Sequence, residues 1–297
     1  MTHAIDVQKL RKRYGDRDAV RDVSFSVDAG EVFCLLGPNG AGKTTTTEIL
    51  EGYRLADSGT VRVLGHDPAA GERRFHERIG IVLQECGVQA DLSVAELVRM
   101  YGRYYPRPRP VDELLDLVGL TEKRNARAKT LSGGQKRRLD LALGLVGDPE
   151  VLFLDEPTTG FDPSARRAAW ATIRDLCALG KTIFLTTHFM DEAQELADRI
   201  AIIANGSIVA MGTPDELGGR DTAATEIRFA LPDGVTVGEL PALPNGATVS
   251  TDEHGVLVRS TDGIAATNTI TGWAIKRRVA LANFAVAQPS LEDMYLR

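Results

Sequence analysis

The sequence lacks any long apolar run, and this absence limits how the chain can meet a membrane. No hydrophobic stretch approaches the ~20 residues that a helix needs to cross a bilayer. The opening residues, MTHAIDVQKLRKRYG, also lack the apolar core of a secretory signal peptide. We therefore expect any membrane role to be peripheral.

Cysteine and surplus positive charge are scarce as well. The three cysteines, Cys34, Cys86 and Cys177, are scattered without metal-ligand spacing, which is typical of small buried thiols in a reducing compartment. The formal net charge is −6, which argues against a protein that binds a nucleic-acid backbone. The basic runs at 11–13 and 136–138 are accordingly expected to be solvated faces.

The order of apolar patterns predicts an α/β protein with two domains. Alternating residues before position 30 indicate antiparallel strands, and the apolar runs EVFCLLG, RIGIVLQE, VLFLDEP and TIFLTTH indicate a buried sheet. Residues from about 88 to 147 are helical in character and form a helical subdomain. The pattern breaks near 218–221, so we expect the first domain to span 1–220 and a small α+β domain to span 221–297.

A complete phosphate-binding loop, GPNGAGKT, spans residues 37–44. It follows a compact apolar strand and opens a helix, which is the context that such loops need. Its glycines allow the backbone to wrap phosphates closely. Lys43 supplies a point charge for the β- and γ-phosphates, and the Thr44 hydroxyl can ligate Mg²⁺.

Two carboxylates end the apolar strand VLFLDEP at 151–157. Carboxylates at the end of a buried strand are costly unless they serve a cation. Asp155 is placed to hold Mg²⁺, and Glu156 can polarise a water molecule for attack on a γ-phosphate. With the phosphate loop upstream, this pair predicts phosphoryl-transfer chemistry.

A second anion site follows in the stretch TLSGGQKRRLDLALGLV, residues 130–146. Ser132, Gly133 and Gly134 stand at the head of a predicted helix, where free backbone N–H groups and the helix dipole favour negative charge. One chain therefore carries two predicted phosphate cradles.

Five motifs in this order resemble the ATP-binding cassette (ABC) family of transport ATPases over roughly residues 3–217. They are GPNGAGKT, Gln84 in IVLQE, the unaltered signature motif LSGGQ, VLFLDEP, and His188 in LTTHFMDEA. The resemblance implies a P-loop fold with a mixed central sheet, antiparallel N-terminal strands and a helical subdomain. It also explains the second cradle, because two cassettes of this family pair head to tail and each ATP lies between one phosphate loop and the other signature motif.

The resemblance also implies individual roles. Gln84 matches the glutamine that reaches Mg²⁺ and the attacking water, and His188 matches the histidine that contacts the γ-phosphate. Asp162 matches the aspartate that communicates across the dimer, although Phe161 replaces the usual leucine before it. Tyr14 matches the aromatic residue that stacks on adenine.

Three candidate sets follow from these assignments. The nucleotide-binding set is Tyr14, Gly37, Pro38, Asn39, Gly40, Ala41, Gly42, Lys43, Thr44, Thr45, Gln84, Ser132, Gly133, Gly134, Gln135, Asp162 and His188. The catalytic set is Lys43, Gln84, Glu156 and His188, and the Mg²⁺ ligands are Thr44, Gln84 and Asp155.

Three roles within the family stay open on the sequence: an exporter subunit, an importer subunit, and a cassette ATPase acting on nucleic acid or ribosomes. Cassette ATPases of the last type typically carry a coiled-coil insertion, a zinc-site insertion or a second fused cassette. This chain shows none of these features. The stretches LEGYRLADSGTVRVLGHD, HFMDEAQELADRIAII and PSLEDMYLR resemble the drug- and polyketide-resistance branch, which is similar to daunorubicin-resistance ATPases. That branch implies a second cassette, a separate membrane permease that contacts the exported drug, antibiotic or lipid-like compound, and a location at the cytoplasmic face of the membrane.

Overall fold

The structure is a computed structural model, and the part of the chain that it describes excludes several short segments. The described residues are 3–82, 89–178, 180–217, 225–232, 234–244, 247–252 and 255–287. Gln84 and Cys86, both singled out in the sequence, lie outside them. The chain forms two compact units, residues 1–213 and 214–297. The expected boundary at 220/221 itself falls on residues that are not described.

The first unit contains nine strands and seven helices among its described residues. The strands are β1 (His3–Tyr14), β2 (Arg17–Asp28), β3 (Val32–Leu36), β4 (Ser58–Val63), β5 (Ile79–Val82), β6 (Val151–Asp155), β7 (Thr182–Thr187), β8 (Arg199–Ala204) and β9 (Ser207–Gly212). The helices are α1 (Lys43–Leu50), α2 (Arg73–His76), α3 (Val94–Gly102), α4 (Val111–Leu117), α5 (Gly133–Leu145), α6 (Pro163–Ala178) and α7 (Met190–Leu196).

Two sheets form the centre of this unit. The first is antiparallel, in the order β2-β1-β4, and the second has the order β5-β6-β7-β3-β8-β9. The second sheet is parallel except for β9, which returns from β8 through a tight hairpin. Asn205 and Gly206, at φ 49° and 81°, form that turn, as the Asn-Gly pair predicts. The expected mixed sheet with antiparallel N-terminal strands is confirmed.

An apolar core joins the two sheets. The rings of Phe25 and Phe33 stack with their centroids 5.1 Å apart, and Phe33 stacks on Phe184 at 5.9 Å. Phe33 and Phe184 have no exposed surface. The strands β3 and β7 are buried at every residue, which is typical of a parallel sheet that is covered on both faces.

The helical segment lies between β5 and β6 and contains α3, α4 and α5. The pattern SVAELVRMYGRYY suggests a helix through Tyr105, yet α3 ends at Gly102. Pro106 disfavours helical backbone at the residue before it, which explains the earlier stop. The Tyr105 ring instead packs over Gly147, where a Cβ atom would lie 2.3 Å from ring carbons.

The second unit is a small α+β domain, as expected. Its elements are α8 (Pro214–Leu217), β10 (Thr225–Ala230), β11 (Thr248–Asp252), β12 (Gly255–Ser260), α9 (Gly263–Arg277) and β13 (Ala282–Ala287). The strands form an antiparallel sheet in the order β11-β12-β10-β13. Ile227, Phe229 and Val258 pack with Ala266 and Ile270 of α9 into a separate core. No helix among the described residues of either unit is long and apolar enough to cross a membrane.

Candidate active site

The candidate site lies at the carboxyl edge of the parallel sheet. The strands β6, β7 and β3 are neighbours, and they run in the same direction. The segments that follow them therefore meet at one edge: the phosphate loop after β3, Glu156 after β6 and His188 after β7. Crevices at this edge are where open α/β sheets bind ligands.

The phosphate loop requires glycine at two points of close approach. A Cβ atom on Gly37 would lie 2.3 Å from the carbonyl oxygen of Ile203, and one on Gly42 would lie 2.5 Å from that of Ala19. Gly42 also has φ 111°, a conformation that disfavours side chains. The loop is thus packed directly against backbone, which fixes its curvature ahead of helix α1.

Lys43 is buried within this loop, with 4% of its surface exposed. Its Nζ atom donates to the carbonyl oxygens of Gly37 at 2.7 Å and Pro38 at 3.2 Å. It also lies 3.3 Å from Oε1 of Glu156, so the two predicted catalytic residues form an ion pair. The charge of Lys43 is held inside the loop, where phosphates would have to bind.

His188 completes this cluster from the end of β7. Its Nδ1 atom lies 3.2 Å from Oε1 of Glu156, and Thr159 donates to Oε2 of the same carboxylate at 3.1 Å. Burial raises the pKa of Glu156, but the contact with His188 and the charge of Lys43 outweigh it, so the pKa lies below its ordinary value. Glu156 is therefore a carboxylate at neutral pH.

The backbone of Glu156 is strained. Its φ angle is 46°, in the left-handed region that non-glycine residues rarely occupy. Its N–H donates to the carbonyl oxygen of Thr186 at 3.1 Å, with the Thr186 hydroxyl at 3.2 Å. Strain of this kind persists only where the surroundings determine the conformation, and it concentrates at functional sites.

Two of the three expected Mg²⁺ ligands lie on described residues. Asp155 ends β6 and accepts a hydrogen bond from the hydroxyl of Thr186 through Oδ1. Thr44 is exposed and lines the same pocket as Lys43 and Glu156. A carboxylate and a hydroxyl suit Mg²⁺, which binds few protein oxygens and keeps several waters. The third, Gln84, falls outside the described residues.

Tyr14 shares this pocket, which has a volume of about 540 Å³. It ends β1 with its ring 42% exposed, and the Arg54 guanidinium lies 5.3 Å from the ring centroid. Arg17 also lines the pocket, and it donates to the carbonyl oxygen of Gly40 at 3.1 Å. Arg17 was not predicted from the sequence, because a single arginine at the start of a strand carries no motif. The described residues that line the pocket are Tyr14, Arg17, Ala19, Asn39, Gly40, Gly42, Lys43, Thr44, Thr45 and Glu156.

The signature motif lines a different pocket. Ser132 caps helix α5: its hydroxyl accepts from the N–H of Gln135 at 3.3 Å, and the Gln135 side chain accepts from the N–H of Ser132 at 3.0 Å. Gly133 and Gly134 form the first turn, where amide groups point away from the helix. Among the described residues, this pocket and the one around Lys43 have no lining residue in common.

Asp162 lies in the signature pocket together with Gly160 and Thr159. Its Oδ1 accepts from the N–H groups of Ser164 at 2.9 Å and Ala165 at 3.0 Å, which caps helix α6. These backbone hydrogen bonds lower the pKa of Asp162. The side chain therefore has a structural task beside the role that the family resemblance implies.

Two further residues reach the segment around Glu156. Glu192 of α7 is fully buried and accepts from the Thr158 hydroxyl at 2.7 Å and from the indole of Trp170 at 3.1 Å. Arg137 of α5 donates to the carbonyl oxygens of Pro157 at 2.9 Å and Asp155 at 3.1 Å. The expectation that the run 136–138 is a solvated face is wrong for Arg137, because its guanidinium crosses to another element.

Comparison with known families gives two matches. Residues 20–159 match the family model described as ABC transporter. Residues 225–290 match a model described as ABC transporter domain-containing protein-like, C-terminal domain.

Individual relatives cover the whole chain. The Nod factor export ATP-binding protein I of Burkholderia lata is 39% identical over 99% of this chain and 96% of its own length. The daunorubicin resistance ATP-binding protein DrrA3 of Streptomyces coeruleorubidus is 36% identical over 99% of this chain and 95% of its own. Among solved structures, CbiO1 from Clostridium perfringens, described as part of the ABC transporter complex CbiONQ, superposes with a TM-score of 0.67 at 28% identity. That match covers 75% of this chain and 93% of CbiO1.

Proposed function

The chain belongs to the ATP-binding cassette family of transporter ATP-binding subunits, and from that premise we propose that it hydrolyses ATP to energise a separate exporter permease. The active unit contains two cassettes. Each ATP is bound by the phosphate loop of one cassette and capped by the signature motif of the other.

One observation carries this proposal: the described chain has two phosphate-binding surfaces that line separate pockets. Lys43 and Glu156 lie in one, and Ser132 with the first-turn glycines of α5 lies in the other. A single copy that used only its Lys43 pocket would leave the signature surface without a ligand. In a head-to-tail pair, the signature surface of each copy would meet the nucleotide that is bound in the Lys43 pocket of the other copy.

The chain's own residues divide the binding work. Lys43 and the phosphate loop hold the β- and γ-phosphates, and the exposed ring of Tyr14 offers a stacking surface for the base. Arg17 adds a second positive charge at the rim of the pocket. Thr44 and Asp155 would hold Mg²⁺, which supplies charge neutralisation at the phosphate oxygens when it is bound.

Glu156 and His188 orient the attacking water. Glu156 is ionised, and its carboxylate is fixed by Thr159, Lys43 and His188. A carboxylate in this state can accept a hydrogen bond from water and hold it in line with the γ-phosphate. When phosphates bind, the ammonium group of Lys43 pairs with them. Glu156 then accepts a hydrogen bond from the water in place of its contact with Lys43.

The direction of transport is argued from the relatives. Two relatives align with 99% of this chain. One is named as an export protein and the other as a drug-resistance protein. They support an exporter subunit over an importer, with a drug, antibiotic or lipid-like compound as cargo. The permease would contact that cargo, and this chain would act peripherally at the cytoplasmic face of the membrane.

Replacing Ser132 tests the shared site. Ser132→Arg places a bulky cation at the N-terminus of α5, so we expect at least a tenfold loss of ATP turnover while the Kd for Mg-ATP at Lys43 changes less than threefold. Ser93→Arg is the matched control, because Ser93 caps α3 with the same kind of capping box outside both pockets. Loss of nucleotide binding in Ser132→Arg, or native turnover, would contradict the proposed arrangement.

A further inference from the structure

Arg137 connects the signature helix to the catalytic segment of its own chain. It lies on α5, five residues after Ser132, and is partly buried. Its Nε atom donates to the carbonyl oxygen of Pro157 and its Nη2 atom to that of Asp155. The two acceptors belong to the residues on either side of Glu156.

This placement bears directly on the strained backbone of Glu156. A left-handed φ is unfavourable for a glutamate and must be enforced by the surrounding structure. The Asp155 carbonyl belongs to the peptide unit that precedes Glu156, so holding it limits rotation about φ of Glu156. The Pro157 carbonyl lies one peptide unit further along, and holding it anchors the segment that follows Glu156. A planar guanidinium with several donors in a rigid fork suits this task better than a single ammonium group.

The predicted anion cradle lies at the N-terminus of α5, little more than one turn before Arg137. Ser132 caps the helix, and residues 133–145 form it without interruption. A helix moves as a rigid element over such a short distance, so a shift of its N-terminus displaces the guanidinium at residue 137. A ligand that binds at the cradle and shifts α5 therefore also acts, through Arg137, on the carbonyl groups beside Glu156.

We propose that Arg137 is a positioning residue for hydrolysis: it holds Glu156 in its working conformation and links that conformation to the position of the signature helix. The inference rests on the proposed function, because it assumes that the cradle binds a nucleotide held by a second cassette. In this role Arg137 acts after the nucleotide is captured. Arg137 also lines the pocket of the signature motif, and its link to Glu156 runs through the carbonyl groups of Asp155 and Pro157.

Steady-state kinetics of Arg137→Met test the positioning role. Methionine keeps much of the apolar volume and removes the donors, so we expect kcat to fall about 30-fold while KM and the Kd for Mg-ATP stay within about threefold. Arg137→Lys restores one donor and should recover part of kcat. Arg174→Met is the matched control, because Arg174 forms an exposed ion pair with Glu195 on the far side of α6 and should keep native kinetics.

A purely structural role gives a different result. It would lower the thermal midpoint of Arg137→Met together with the affinity for ATP, and lysine would not rescue kcat. That outcome, or native kcat in Arg137→Met, overturns the inference.

Nucleotide-driven pairing separates this inference from the proposed function. In a Glu156→Gln background, which is expected to trap ATP, adding Arg137→Met should leave Mg-ATP-dependent dimerisation intact. Loss of the dimer only in the double variant would show that Arg137 acts on closure, and would overturn the positioning role. A Glu156→Gln chain that itself stays single would instead contradict the two-cassette site.

Discussion

Lys43 is already oriented by the protein. Two carbonyl oxygens and the carboxylate of Glu156 surround its ammonium group, and little of it is exposed. Burying a charge is costly unless it is paired, and the two carbonyl oxygens and the Glu156 carboxylate offset that cost for the Lys43 ammonium group. The same contacts keep Glu156 ionised.

Removing that charge should abolish most nucleotide binding. In Lys43→Ala the phosphates lose their main point charge and Glu156 loses its cation, so we expect the Kd for Mg-ATP to rise about 100-fold. Titration calorimetry measures this directly. Lys129→Ala, which removes an exposed lysine paired with Asp91, should leave the Kd unchanged. Equal affinities in the two variants would remove Lys43 from the site.

Glu51 is another buried titratable group, and no pattern in the sequence singles it out. It follows α1 with 1% of its surface exposed, and its Oε1 atom has no hydrogen-bond partner among the described residues. Burial, together with the charges of Asp155 and Glu48, raises its pKa to about 8 from an ordinary value of 4.5. The folded state therefore keeps the Glu51 proton that the unfolded chain releases.

This difference makes stability depend on pH. The contribution of Glu51 to the free energy of unfolding is fully present below pH 4.5. It is lost as the pH rises through about 8, because between these two pH values ionisation of Glu51 stabilises only the unfolded chain. Glu51→Gln has no proton to lose. Its unfolding temperature should exceed that of the native chain by about 3 °C or more at pH 8.5, and the gap should shrink toward pH 5. A gap that is constant over this range would contradict a raised pKa at Glu51.

Among the secondary-structure elements, Glu192 links α7 to two neighbouring segments through hydrogen bonds. Its Oε1 atom accepts from Thr158, in the segment after β6, and from Trp170 of α6. Burial raises the pKa of Glu192, and these hydrogen bonds oppose the rise. Three elements around the candidate site therefore converge on one side chain.

Truncating Glu192 should loosen this junction. Glu192→Ala leaves two buried donors without their acceptor, so we expect a loss of about 2–4 kcal/mol in the free energy of unfolding. Glu192→Gln keeps an acceptor oxygen and should lose much less. Glu195→Ala, on the exposed side of the same helix, is the control. Denaturant titration followed by tryptophan fluorescence reports all three, and equal midpoints for Glu192→Ala and Glu195→Ala would contradict the junction.

Local signals predicted most of the elements, and nonlocal contacts explain the exceptions. The Asn205–Gly206 turn follows from short-range chemistry, so the sequence predicts it. The role of Arg137 depends on carbonyl groups about twenty residues away, which no periodicity encodes. That α3 ends before Tyr105 could have been predicted from Pro106, because proline disfavours helical backbone at the residue before it.

At the scale of the whole molecule, the sequence predicted two domains, and the structure has two units with separate cores. The roles of Tyr14, Asp162 and His188 came from likeness to a family and remain predictions. Their grouping came from topology, since only the order of parallel strands brings residues 43, 156 and 188 together. The strand order itself cannot be derived from local patterns, because pairing partners are distant in the chain.

One chain carries both halves of the proposed site in separate pockets, so two copies are needed to complete it. Sedimentation velocity of Glu156→Gln with saturating Mg-ATP detects this pairing. We predict a species of twice the 32.1 kDa chain mass, which disappears when Ser132→Arg is added or when nucleotide is withheld. A species that keeps the mass of one chain while nucleotide is demonstrably bound would contradict it.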